Sequence, residues 1–441
     1  MKSSDSLDLN LQFKQTISLI EKTFQHCFIT GRAGTGKSTL LQLFCHMSAK
    51  NPIVLAPTGV AALNVEGQTI HHFFNFYIDV TPEKVRSKKV RPRNLKLYKR
   101  LKVVVIDEVS MLRADLLDCI DVFLRMYGPD CSKPFGGVQM VFFGDLYQLP
   151  PVVNKQERNL FSSYYATPYF FAAKALTLTQ LRIIELDRVY RQQDRQFVEL
   201  LNKIRNNSAT LRDIQELNSR HTKSKSIPKV PLSIHLTTTN ARADAINDTR
   251  LRSLKQQECI SVAKISGDFG KEYYPTLTHL KFKVGSQIML LNNDRKKRWV
   301  NGSMGRIFSL EGDLEDKPSI LVKLMGCDQL IELKPFTWEV YQFSLESNSI
   351  VSDPVGTFTQ YPFRLAWAIT IHKSQGKTFD QVVIDIGEGT FVDGQLYVAL
   401  SRCTSFKGIQ LTVPIKKRHI RVDPRIDRFF SGRIVEQSEQ Y

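Results

Sequence analysis

The stretch Phe28–Phe44, FITGRAGTGKSTLLQLF, decides the fold. An apolar run leads into glycines, one lysine and three hydroxyl residues, and an apolar repeat follows. Gly31, Gly36, Lys37 and Ser38 fit the spacing G-x-x-x-x-G-K-[ST] of a phosphate-binding loop. HCFIT, just ahead, reads as a short buried strand. Leu40, Leu41, Phe44 and Met47 recur at helical spacing. Strand, tight turn and helix therefore meet at the glycines, where backbone N–H groups and a helix N-terminus face a phosphate. Gly34, Thr35, Gly36, Lys37, Ser38 and Thr39 are the candidates for holding a nucleoside triphosphate. Lys37 is long enough for the β and γ oxygens, and Ser38 can ligate Mg²⁺. The competing reading is an ordinary glycine-rich turn. Motors, switches, kinases and pumps all use this cradle, so the loop does not say what the phosphate energy drives.

LKVVVIDEVSML, Leu101–Leu112, supplies a continuous apolar run as expected of a central parallel strand. It ends in Asp107-Glu108. A carboxylate pair at the carboxyl end of such a strand sits where open α/β sheets bind ligands. Asp107 can hold Mg²⁺, and Glu108 can polarise the water that attacks the γ-phosphorus. Alone, such a pair often only caps the next helix. MVFFGDLYQLPPV, Met140–Val152, reads as a third strand with a polar end. Gln148 there can sense the γ-phosphate or its water, or is a plain loop glutamine.

The bulk numbers narrow the rest. At about 150 residues per domain, 441 residues suggest two to four domains. A net charge of +18 favours a polyanionic partner, nucleic acid ahead of an anionic membrane. The seven cysteines are scattered singly with no CxxC pair, which argues against a zinc site or a disulfide frame. No apolar run approaches the roughly 20 residues of a spanning helix. The N-terminus carries acids and no apolar core, unlike a signal peptide. No arginine precedes Arg32, so it makes a poor mitochondrial presequence.

From about Leu176 the pattern restarts. Phe197, Leu200, Leu201 and Ile204 form a helical stripe, and SIHLTTTNARADAIN reads as strand, loop and helix start, with Thr239 or Asn240 as cap. QVVIDI and IQLTV are later strands. Over roughly 255–350 the texture becomes short alternating strands with turn residues between, which suggests an inserted β-barrel. Ten basic residues, from Lys84 to Lys102, follow Glu83 without an intervening acid, and HHFFNFY lies just ahead. Aromatics beside a basic run suit base stacking and phosphate contact, and equally a solvated basic loop over a buried aromatic cluster. Phe73, Phe74 and Phe76 are core residues or strand-separating wedges on this evidence. RKKRW (295–299) and KKRH (416–419) are weaker basic runs.

Taken in order, GRAGTGKST, APTGVAALNVEGQTIHHFF, VVVIDEVSML, FFGDLYQLPPV, YRQQDRQFVELLNKIR, WVNGSMGRI, YPFRLAWAITIHKSQGKTF and QLYVALSRC resemble the motifs of the petite-integration-frequency (Pif-type) DNA helicases of superfamily 1B, relatives of the RecD helicases. The resemblance runs from about residue 9 to residue 412. It implies an α/β fold of two RecA-like P-loop domains. The first is expected over 1–175 with a small wedge insertion near 72–100, the second over 176–254 and 350–441, and an SH3-like barrel over 255–349. It implies an ATP- and Mg²⁺-dependent helicase that moves 5′-to-3′ on single-stranded DNA and unwinds duplexes, RNA–DNA hybrids and G-quadruplexes in replication, repair, recombination or telomere maintenance. A monomer, a bacterial-type core enzyme at the nucleoid, and a nuclear or mitochondrial site in a eukaryote complete the expectation. By the resemblance Gln15 reads the adenine edge. Arg191 and Arg402 reach the γ-phosphate from the second domain, and Gly376 contacts it through backbone. Thr58, Gly59, His71, His72, Thr238, Asn240, Thr370, His372 and Lys373 contact DNA. A DNA-stimulated translocase or a nucleotide-gated loading factor, neither separating strands, is the alternative.

Overall fold

The computed structural model describes residues 10–77, 79–153, 157–192, 194–222, 233–294, 296, 298–311, 318–325, 327, 329–346, 349–431 and 435–436. Arg295 and Lys297 of the RKKRW run lie outside them.

Seven parallel strands form the larger sheet, in the spatial order Val435–Glu436, Leu181–Leu186, His26–Gly31, Gln139–Phe143, Val103–Ile106, Ile53–Ala56, Gln68–Thr69. Its interior strands are buried on both faces: Cys27, Phe28, Ile29 and Val103 through Ile106 expose nothing. Strands covered on both sides read as unbroken apolar runs, which is why they were visible in the sequence. The phosphate loop and Asp107-Glu108 both open at the carboxyl ends of this sheet. A second, smaller sheet has four parallel strands in the order Ala368–Thr370, Ile234–Thr237, Val382–Asp385, Ile409–Leu411. The helix Arg195–Arg205 buries the expected stripe of Phe197, Leu200, Leu201 and Ile204. Thr239, not Asn240, caps the helix Asn240–Ser253 by accepting the Arg242 N–H.

Between these sheets in sequence lie antiparallel strands. A five-stranded sheet and the pair Cys259–Val262 with His279–Phe282 close on one apolar core that includes Phe282, Ile307, Val322 and Tyr361. A three-stranded arm, Phe336–Glu346, Ser349–Gln360 and Lys264–Gly267, leans instead on the first lobe, where Trp338 and Phe358 share a cluster with Ala56 and Ala62.

The aromatics beside the basic run are core. Phe73, Phe74 and Phe76 are 4%, 0% and 7% exposed and pack around Tyr98 and Phe123. Val85, Val90 and Leu97 are buried with them, while Arg86, Lys88, Lys89, Arg91 and Lys96 face out. Short capped helices at Pro82–Arg86 and Leu95–Tyr98 impose that sidedness.

Two expected boundaries change. Leu181–Leu186 lies beyond the expected limit at residue 175 yet pairs with His26–Gly31 in the first sheet. The chain's last described strand, Val435–Glu436, returns to that sheet as well. Ahead of it the helix Pro424–Ser431 stacks Phe429 on Phe171 at 4.4 Å between ring centroids and within 6.4 Å of Phe28. Strand pairing and ring packing decide these memberships, and neither is written in local periodicity. Phe429→Ala should therefore destabilise the first lobe by about 2–3 kcal/mol, less than the ~3–5 of a fully buried ring because Phe429 is half-buried. Urea unfolding of wild type and variant measures it, and an unchanged midpoint would show that the returning helix adds nothing.

Candidate nucleotide site and nucleic-acid interface

The phosphate loop is built from residues with unusual backbone. Gly34 and Gly36 have φ of +86° and +83°, in the left-handed region that favours glycine. Gly34 is also crowded, since a Cβ there would lie 2.6 Å from the Cβ of Arg191. Gly36 caps the helix Lys37–Met47 without a side-chain acceptor, so the first-turn N–H groups stay available to an anion. Lys37 Nζ donates to the carbonyls of Gly31 and Arg32 at 2.7 and 2.9 Å and so bends over the loop. Burial pushes its pKa down to about 8, against the pull of Asp145 and Glu108. Ser38 and Thr39 are exposed at the helix start.

Asp107 and Glu108 follow the strand Val103–Ile106. Each faces the cleft with part of its surface, and dense protein surrounds the rest. Burial, then the neighbouring Glu108, pushes Asp107 up to about 7. Burial raises Glu108 too, opposed by Lys37 and Arg402. Glu108 sits at φ +49°, a strained conformation for a residue with a side chain. Asp107, Ser38 and the phosphates of a nucleotide are an oxygen set that suits Mg²⁺, which takes few protein ligands. Among the described residues no group of three or more His, Cys, Asp or Glu could hold a metal by itself.

The second lobe closes over this site. Tyr190 N–H donates to Gly34 O at 2.8 Å, laying the Tyr190-Arg191 segment across the loop. Arg191 donates to Ser401 O at 3.2 Å, and Arg402 donates to Ser401 Oγ at 2.9 Å and to Val398 O at 3.0 Å. Both arginines thus converge on the end of the helix Gln395–Ser401. Arg402 is 1% exposed. Burial and then Arg191 oppose its charge, while Tyr397, Glu108 and Asp145 favour it. An arginine stays protonated regardless, so two cations are held close enough to repel each other. Gln375 Nε2 donates to Glu108 Oε2 at 2.8 Å across the cleft. Gly376, next to it, has φ +76° and open space around it. Gln148 is 7% exposed. Its backbone is pressed by Gly394, where a Cβ would meet the carbonyls of Tyr147 and Gln148 at 2.4 Å.

Sequence reasoning missed several partners. Asp145, after the strand Gln139–Phe143, accepts from Arg205 at 3.1 Å and from Tyr397 at 3.2 Å, and Tyr397 Oη accepts the Ala33 N–H at 2.9 Å. All three side chains stood inside the quoted motifs, but nothing in their spacing said they would meet. Gln15 lies exposed on the helix Leu11–Lys22. One turn earlier, Gln12 is buried, donates to Glu185 O at 2.8 Å and accepts from Asp187 N–H. Phe13 beside it comes within 3.0 Å of where a Gly36 Cβ would be. The buried glutamine of this helix is therefore Gln12, held by the 185–187 segment, because the helix phase turns it inward and exposes Gln15.

The expected DNA-contact residues fall into two groups. Thr370 pairs with Thr237, so Thr238 and the segment Thr370–Lys373 share the carboxyl edge of the smaller sheet. There Asn240 and Lys373 are exposed, and Thr238 and His372 are half-buried. Thr370 is 4% exposed, and its hydroxyl accepts the Lys373 N–H instead of facing outward. On the first lobe Thr58 caps the helix Gly59–Asn64. Gly59 is buried under the arm, where a Cβ would meet Glu272 O at 2.1 Å, so close packing accounts for that glycine. His72 faces Gln68 Oε1 at 3.1 Å and Arg93 at 3.3 Å, and His71 is half-buried. Burial lowers the pKa of His71, His72 and His372, which removes them as cationic anchors at neutral pH.

Comparison with known proteins agrees with this geometry. Residues 10–215 match the family model described as PIF1-like helicase, and residues 365–405 match the UvrD-like helicase C-terminal domain. An ATP-dependent DNA helicase Pif1 of Bdellovibrio bacteriovorus is 30% identical over 92% of this chain and 88% of its own. An ATP-dependent DNA helicase PIF1 of Emericella nidulans is also 30% identical, and this chain spans 62% of its length. The crystal structure of Bacteroides sp Pif1 in complex with ADP-AlF4 superposes with a TM-score of 0.89 at 37% identity, covering 97% of both chains. Bacteroides Pif1 bound to ssDNA gives 0.68 over the same share. This chain belongs to the PIF1-like helicase family.

Proposed function

We propose that this protein is an ATP-dependent DNA helicase that moves 5′-to-3′ on single-stranded DNA and separates the strands of a duplex. The observation that carries it is how the second lobe meets the first: Arg191 packs against Gly34, Arg402 acts electrostatically on Glu108, Gln375 bonds Glu108 and Tyr397 bonds Ala33 of the loop. One nucleotide site completed by a second lobe links hydrolysis to the distance between the lobes. The relatives' printed activity and the solved Bacteroides complexes with ADP-AlF4 and with ssDNA support the same reading.

In this mechanism the uncapped N-terminus of the Lys37 helix and Lys37 itself cradle the β and γ phosphates. Ser38 and Asp107 would hold Mg²⁺, which when bound would supply positive charge against the phosphates. Glu108 orients the attacking water and takes its proton, and Gln148 senses the γ-phosphate. Arg191 and Arg402 stabilise the charge that develops on the transferring phosphoryl, a contribution of roughly 10³–10⁵ in rate. Because they belong to the second lobe, closure and hydrolysis are one event. Gln12, Phe13 and Tyr190 border the base side of the loop. The edge bearing Thr238, Asn240, His372 and Lys373, with Thr58 opposite, forms the track for a single strand, and the exposed cations of Lys84–Lys102 attract the polyanion.

Lys37→Ala should abolish hydrolysis, and Arg402→Ala should lower kcat by about 10³ with single-strand affinity within a few-fold. ATPase rates with and without single-stranded DNA, followed by unwinding of 5′- and 3′-tailed duplexes, test the reading. Stimulation without strand separation would reduce it to a translocase, and no stimulation would leave a nucleotide-gated loading factor. Single-strand affinity should fall with salt at a slope of roughly −0.7 per neutralised phosphate, and a flat titration would remove the electrostatic track.

Asp107 gives a prediction with a definite sign. Its folded pKa, about 7, lies above the ordinary value of 3.8. Wild type therefore loses stability as pH rises from about 4 through about 7. Asp107→Asn should melt higher than wild type at pH 8, by roughly 1 °C per kcal/mol recovered in a chain of 441 residues, and the gain should vanish near pH 4, while hydrolysis drops to background. Equal melting temperatures at pH 8 would mean the carboxylate bears no burial penalty.

A further inference from the structure

We propose that Tyr397 is a positioning residue for hydrolysis: its hydroxyl, held between the Ala33 N–H and the Asp145 carboxylate, ties the phosphate loop to the helix that carries Arg402. The proposal rests on reading the cleft as an ATP site. It adds a coupling residue that contacts neither phosphate nor water.

The hydroxyl has one arrangement available. Ala33 N–H donates to it at 2.9 Å, so it accepts there and must donate elsewhere. Asp145 Oδ2 is the acceptor, at 3.2 Å. The other Asp145 oxygen takes the Arg205 guanidinium at 3.1 Å, and Arg205 lies 4.1 Å from the centroid of the Tyr147 ring. Tyr397, Asp145 and Arg205 are 3%, 1% and 6% exposed. In so dry a chain each bond polarises the next, and a gap leaves a buried polar atom without a partner.

The helix Gln395–Ser401 makes the tie mechanical. Gly394 starts it, pinned against the Tyr147 and Gln148 carbonyls, and Arg402 is its C-cap. Tyr397 therefore sits between a fixed start and the arginine end of a two-turn rod. A shift of Ala33 in the phosphate loop moves the phenol, and the phenol moves Arg402. Phenylalanine would keep the ring packing and remove both bonds. The loop and the arginine would then sample their positions independently.

The test compares full-length wild type, Tyr397→Phe, Asp145→Asn and the double variant. Steady-state ATPase with saturating single-stranded DNA gives kcat and KM, and fluorescent ADP and a labelled oligonucleotide give the affinities. Tyr397→Phe should lower kcat about tenfold with KM for ATP and both affinities within about twofold, since tenfold in rate is about 1.4 kcal/mol of transition-state stabilisation. Asp145→Asn should act in the same direction, and the double variant should lose less than the product of the single losses. A wild-type kcat in Tyr397→Phe, multiplicative losses in the double variant, or parallel falls in kcat and both affinities would each overturn the proposal. If Tyr397→Phe does not fold, a wild-type kcat in Asp145→Asn overturns it equally. A wild type without ATPase would instead defeat the function proposed above.

Discussion

A carboxylate sealed inside one lobe and neutralised by the other is the constraint on which the rest depends. Asp145 follows a central strand of the seven-stranded sheet and is 1% exposed. Its guanidinium partner, Arg205, ends a helix that packs against the Gln395–Ser401 helix of the second lobe. An unpaired buried charge costs several kcal/mol, so the lobes cannot separate without admitting water to both ions. Closing the cleft and pairing these two ions are therefore coupled.

The same cleft concentrates strain and desolvation. Glu108 is left-handed, Lys37 is pushed toward neutrality, and Asp107 is pushed toward protonation. Each is unfavourable for folding, so this part of the chain trades stability for the site's geometry and charge. The β insertion braces both lobes. Gln287 of its five-stranded sheet donates to Ser233 O and Ala366 O of the second lobe, while Tyr273 reaches Thr69 of the first. The returning helix Pro424–Ser431 adds a further brace, with Tyr147 donating to Asp427 at 2.6 Å. Motion between the lobes must work against these attachments.

Much of the site could be read before any coordinates. The glycine spacing and Asp107-Glu108 stood out because each obeys a local rule of spacing or strand end, whereas the two distant arginines came only from the family resemblance. Gln15, expected at the adenine edge, is exposed while Gln12 one turn earlier is buried, a difference two like side chains do not reveal in sequence. Thr370 and Gly59 sit in motif positions but serve packing and capping, which only neighbours reveal. Arg205 and Tyr397 carry no local signal in the sequence that sets them apart.

From its residues alone this chain had to form parallel sheets of apolar runs, with a phosphate cradle at one strand end and a basic surface. Those features follow from periodicity and from short-range backbone chemistry. Tertiary structure alone decided which strands share a sheet, which aromatics are core, and which buried ions pair across the cleft. Pairing and burial join residues hundreds of positions apart, and no pattern confined to a few neighbours in the chain can encode such a meeting.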